Sequence, residues 1–141
     1  MPDKSISKQA SFYIQEELRK YMTPEVVNHG LVAWYKFMFE YIPFRSGLMA
    51  SLIDIPEDAK NIQLTPDEAL AAGIREIQSN PDNVIHFKAP YASWQNGGEG
   101  FNFTRDMHPS AMAHWEQVAA DVHGEQIVKE IKNFVKRSVN Q

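Results

Sequence analysis

The sequence predicts an α+β fold, and three observations carry the prediction. Two segments open on threonine, proline and an acid and continue with apolar residues at helical spacing. Val84-Ile85-His86-Phe87 is a short β-branched and aromatic run between turn residues, the composition of a strand. Two aromatic-bearing stretches flank Asn96-Gly97-Gly98-Glu99-Gly100, in the manner of a hairpin.

The elements follow in chain order. Ser7 to Met22 reads as a first helix, with Ile14, Leu18 and Tyr21 on one face and Glu16, Glu17, Arg19 and Lys20 mostly on the other. Thr23-Pro24-Glu25 opens a second helix: threonine caps, proline fits the first helical position and glutamate suits the positive end of the dipole. Its apolar residues, Val27, Leu31, Trp34, Tyr35, Met38 and Ile42, are joined by Phe37, Phe39 and Tyr41 around most of the circumference, so this helix is expected to be buried on more than one side. Pro43 stops it, Arg45-Ser46-Gly47 turns the chain, and a strand is expected to begin near Leu48.

Ile53 to Gln63 reads as a connecting loop, and Thr65-Pro66-Asp67-Glu68 opens a third, alanine-rich helix through about Ile77. Pro81-Asp82-Asn83 ends it in a turn before the strand at Val84. From Ala89 to Pro109, a structureless loop would be unusually long for a compact domain, which favours a hairpin carrying Tyr91, Trp94, Phe101 and Phe103. Pro109 and Ser110 start a final helix with two apolar stripes, Ala111 to Val122 and Ile127 to Val135, whose phase breaks at Gly124 and predicts a kink.

Composition narrows the function classes. Hydrophobic residues make up 43% and charged residues 23%, the usage of a folding globular chain, and the length fits a single domain over residues 1–141. With no cysteine, disulfides, thiolate metal sites and cysteine nucleophiles are excluded together. The polar start and the lack of any apolar run of span length lead to the expectation of folding in a cytoplasm without membrane insertion. A net charge of −4 disfavours sequence-independent phosphate binding. Lys129, Lys132, Lys136 and Arg137 concentrate the basic charge on the last helix, where cations suit the C-terminal end of the dipole.

Catalytic patterns are weak. No phosphate-binding loop, dinucleotide fingerprint, nucleophile elbow or His-Glu-x-x-His helix occurs. Among five histidines the best metal candidate is Asp106 with His108, His114 and Glu116, but no pair has a recognised ligand spacing. No cofactor is expected. The aromatic group around residues 91–103 lacks the interleaved cations of a base-stacking platform, which leaves core or protein-interface packing.

Ala89-Pro90-Tyr91-Ala92-Ser93-Trp94, followed by Asn102, His108-Pro109, Ala111, Trp115, Ala119 and Gly124, resembles the minor capsid proteins of tailed bacteriophages. Upstream, the helix ending in Tyr41-Ile42-Pro43 and followed by Ser46-Gly47 resembles the wider head-tail joining and tail-completion family. The resemblance covers about residues 25–53 and 84–135, with Arg45 where that family often has an acid and Met49 in its usual leucine slot.

The resemblance implies a long helix packed on a small curved antiparallel sheet, with additional N-terminal and C-terminal helices. It also implies a non-catalytic structural subunit of a phage or prophage virion, made in the bacterial host cytoplasm. Such a subunit assembles as a homo-oligomeric ring in the neck, against portal, adaptor or tail proteins, without membrane or sequence-specific nucleic-acid binding. The subunit-interface residues expected from both lines of argument are Tyr91, Trp94, Phe101, Phe103 and Trp115. Two other classes compete: a small binding or regulatory module contacting protein or nucleic acid, and a metal enzyme using Asp106, His108 and His114.

Overall fold

The computed structural model of the chain describes residues 23–57, 61–89, 92, 96–97 and 107–139. Among these the α+β expectation is overturned: three α-helices are present and no β-strand. They are α1 (Pro24–Met38), continued by a 3-10 turn at Phe39–Tyr41, then α2 (Pro66–Ser79) and α3 (Trp115–Val139). The expected first helix, Ser7 to Met22, and the expected aromatic hairpin lie outside the described residues apart from isolated positions of the latter.

The two threonine-proline starts behave as their chemistry requires. Thr23 Oγ1 accepts from the Val26 amide at 3.2 Å. Thr65 makes a full capping box: its hydroxyl accepts from the Glu68 amide at 3.1 Å, and the Glu68 carboxylate accepts from the Thr65 amide at 2.9 Å. Those bonds hold the exposed Glu68 carboxyl below its ordinary pKa.

The aromatic helix α1 is wrapped by the fold. α3 runs along one side of it and α2 along another, and residues 44–52 close a third, with Phe44, Leu48, Met49, Ala50 and Leu52 all buried. At Gly30 α1 packs tightly on α3, since a Cβ there would sit 3.0 Å from Ile131 Cδ1. On the α2 side the Tyr35 ring is fully buried, and its hydroxyl donates to the Ala50 carbonyl. Gly73 is the residue that leaves room for this hydroxyl. Burial without a charged partner pushes the Tyr35 phenol far above its ordinary pKa, so it acts purely as a donor.

Each failed strand has a local reason. Near Leu48 the chain closes on itself: Gly47 adopts φ 87°, the Ser51 amide donates to Gly47 O at 2.9 Å, and Ser51 Oγ donates to Leu48 O at 2.7 Å. A segment satisfied by such short-range bonds offers no ladder to a second strand. Leu52 ends the turn at φ 65°, a left-handed conformation rare for leucine, held by a side chain only 1% exposed. Val84 to Phe87 keeps the alternation of a strand but has no partner strand among the described residues. Ile85 is buried, His86 faces solvent, and Phe87 packs on the Trp115 ring at 5.5 Å. Its anchorage is side-chain packing and the Lys88–Glu76 ion pair at 2.9 Å, which raises the Lys88 pKa.

The final helix also departs from expectation in beginning at Trp115 instead of Pro109; it continues through Gly124 as one 25-residue helix. Glycine lowers helix stability by about 1 kcal/mol relative to alanine but keeps its N–H, so the hydrogen-bond ladder survives it.

Substituting Gly73 with alanine is expected to lower stability by about 1–3 kcal/mol, because the new methyl overlaps the Tyr35 hydroxyl and the ring carbons next to it. Urea denaturation checks this.

Candidate functional site

Several described residues of the pattern, Tyr41, Ile42, His108 and Trp115 among them, meet at the junction between the end of α1 and the start of α3. A helix leaves its last carbonyls without intrahelical donors. At the end of the α1 extension those groups belong to Tyr41 and Ile42, and the chain just before α3 supplies their donors. The Met112 amide donates to Tyr41 O at 2.9 Å, and His108 Nδ1 donates to Ile42 O at 2.8 Å. Because a carbonyl only accepts, this contact places a proton on Nδ1.

The His108 ring is 5% exposed and lies between Phe39, at 4.6 Å, and Phe44, at 4.7 Å. Burial lowers its pKa, outweighing the bond to Ile42 and the nearby Glu40 charge, both of which raise it. The residues after it are occupied by this docking: Ala111 N turns back to His108 O at 3.1 Å, and Pro109 and Ser110 sit in a turn. α3 consequently starts later than the proline predicts.

Asn96 then caps α3 from about twenty residues upstream. Its side-chain oxygen accepts from the Trp115 amide at 3.0 Å, its backbone oxygen accepts from the His114 amide at 2.8 Å, and its Nδ2 donates to Glu116 Oε2 at 2.7 Å. His114 enters the helix at φ 55°. The buried Trp34 indole closes the joint by donating to Glu116 O at 3.0 Å.

Of the residues expected at a subunit interface, Tyr91, Trp94, Phe101 and Phe103 lie outside the described residues. Trp115 is 1% exposed and packs against Phe87, so its indole belongs to the interior of this chain. His108, Ala111 and Ala119 are buried with it, as are Ala89 and Ala92, whereas Pro109 is exposed and Gly124 half-buried.

The candidate metal residues are not gathered. Asp106 lies outside the described residues, His108 is turned to Ile42, and Glu116 to Asn96. Among the described residues no three histidine, aspartate or glutamate side chains come together as a metal cluster.

Two histidines singled out by no motif have defined places. His123 stacks on Phe37 at 4.9 Å, its Nε2 accepts from the Tyr41 hydroxyl at 3.0 Å, and its Nδ1 donates to Gln126 Oε1 at 2.7 Å. His29 lies parallel to Phe134 at 4.2 Å with Nε2 buried and unpartnered. Burial lowers its pKa, with Arg137 and Lys36 acting in the same direction and Glu130 opposing. Asn96 was also missed, because the following glycines read as turn chemistry; only its partners reveal it as a cap.

Comparison with known protein families, with curated proteins and with solved structures finds no match for the chain.

Three outcomes are expected. His108 and His29 both have lowered pKa values in the fold, so below the unfolded value near 6.5 the unfolded chain binds more protons. Stability is therefore full above that pH and falls as the solution is acidified through it, which thermal melts across a pH series would show. His108→Leu should cost about 1–3 kcal/mol at neutral pH, by orphaning Ile42 O, and should flatten this acid-side fall. Asn96→Ala should cost about 1–2 kcal/mol through loss of the α3 cap.

Proposed function

We propose that this chain is a non-catalytic structural subunit of a tailed bacteriophage or prophage particle, acting where head meets tail. The observation that carries the reading is the place of the phage-like residues in the fold. His108, Ala111, Trp115 and Ala119 are all buried at the junction that fastens α3 to α1. Residues with that placement set the shape of a subunit, and shape is what an assembly component contributes. The polar groups of the joint support the same reading: His108, Asn96, Glu116 and Trp34 are engaged with backbone or with one another.

The partners in this proposal are further copies of the chain and the adjoining portal, adaptor or tail proteins, with the finished subunit residing in the virion. The curved sheet that the resemblance implied is no part of it, since the described residues hold three α-helices and no strand.

Electron microscopy of particles from cells carrying the intact gene cluster, and from cells lacking only this gene, tests the role. DNA-filled heads beside separate tails are expected from the deletion; normal joined particles would refute it. Trp94→Asp in the intact cluster is expected to reproduce the tailless heads if the segment around it contacts a neighbour.

A further inference from the structure

The chain's one asparagine-glycine step falls at the cap of α3. Asn96 precedes Gly97, whereas the other asparagines precede histidine, isoleucine, proline, valine, phenylalanine or glutamine. At such a step no side chain shields the backbone amide, which can approach the asparagine side-chain carbonyl closely, as spontaneous deamidation requires. Gly97 is exposed in a turn, and Asn96 is half-buried. Both ends of the Asn96 side chain are in use: Oδ1 accepts from the Trp115 amide at 3.0 Å, and Nδ2 donates to Glu116 Oε2 at 2.7 Å. Glu116 is itself only 7% exposed.

We infer that Asn96 is a deamidation site, and that its conversion permanently weakens the cap of α3. The Gly97 nitrogen attacks Asn96 Cγ, gives up its proton and closes a succinimide ring, while the side-chain nitrogen leaves as ammonia. Water then opens the ring at either carbonyl. One opening leaves aspartate; the other leaves isoaspartate, with the main chain rerouted through the former side chain. In the fold the two bonds hold the side chain against α3, so attack waits for the cap to open, and the rate of conversion follows how often it does.

Neither product rebuilds the joint. Aspartate keeps an acceptor for the Trp115 amide but sets a carboxylate where Nδ2 donated, against the buried Glu116 carboxylate, and like charges at that spacing repel. Isoaspartate also adds a carbon to the main chain, which shifts the Asn96 carbonyl away from the His114 amide that donates to it at 2.8 Å. A transient opening of the joint thereby becomes a lasting one.

This inference concerns the isolated chain and does not depend on the head-tail reading, which is tested in particles; either can fail without the other. The full chain is incubated folded at mildly alkaline pH, below its melting temperature, beside the same chain in urea, and both are digested at intervals and read by mass spectrometry. Asn96 is expected to convert before every other asparagine, more slowly in the folded chain, and to yield separate aspartate and isoaspartate peptides. Gly97→Ala, at an exposed position, should leave the melting temperature unchanged and slow the conversion severalfold. An Asn96 that keeps its amide in the folded chain after the urea sample has converted overturns the inference, as does an unchanged rate in Gly97→Ala.

Asn96→Asp reproduces the first product directly and should lower the melting temperature at neutral pH. Adding Glu116→Gln should restore it, because the glutamine amide can donate to the new carboxylate. An Asn96→Asp chain as stable as the wild type, or one that Glu116→Gln fails to rescue, overturns the claim that conversion weakens the cap.

Discussion

The constraint on which the described structure depends is the need to satisfy the carbonyls at the end of the most apolar helix. α1 is surrounded by protein, so its C-terminal oxygens cannot rely on water, and an unpaired buried carbonyl costs about 1–3 kcal/mol. The Met112 amide and His108 Nδ1 meet that need at Tyr41 and Ile42. In doing so they bring the chain before α3 against Phe39 and Phe44, set the distance at which α3 can begin, and direct it back along α1. The placement of Trp115, Ala119, Ile127 and Ile131 against α1 follows from that direction.

A second fixed point holds the opposite side of α1. The Tyr35 hydroxyl reaches the carbonyl of Ala50 in the closed turn of residues 47–52, beside Gly73 of α2. One aromatic side chain thus ties a helix, an irregular buried turn and a second helix, and its only route is the gap left by a residue with no side chain. The turn itself is rich in buried groups because its backbone is satisfied locally, which lets Leu48, Met49, Ala50, Ser51 and Leu52 all turn inward. The left-handed Leu52 is tolerated there for the same reason: its buried side chain and the bond from its amide to Met49 O over-determine its position.

These two ties give the functional proposal its physical content. Residues that looked like a chemical constellation in the sequence, His108 and Glu116 above all, are structural once their partners are known.

The sequence by itself determined the starts of α1 and α2, because capping is a matter of a few adjacent residues, and it determined that α1 would be buried on several sides, because its aromatics leave no polar face. It also determined the stop at Pro43 and the turn at Pro81 to Asn83. The tertiary structure alone decided the fold class of the described residues. Leu48 and Val84 to Phe87 have strand composition, but a strand exists only if a second one lies beside it, and here local bonds and packing on helices came first. It likewise decided where α3 begins, since the helix-start signal at Pro109 was outweighed by donors drawn to carbonyls some seventy residues upstream, and by a cap, Asn96, that no nearby spacing could announce. Propensity is local, whereas hydrogen-bond satisfaction is settled by whatever the finished fold brings together.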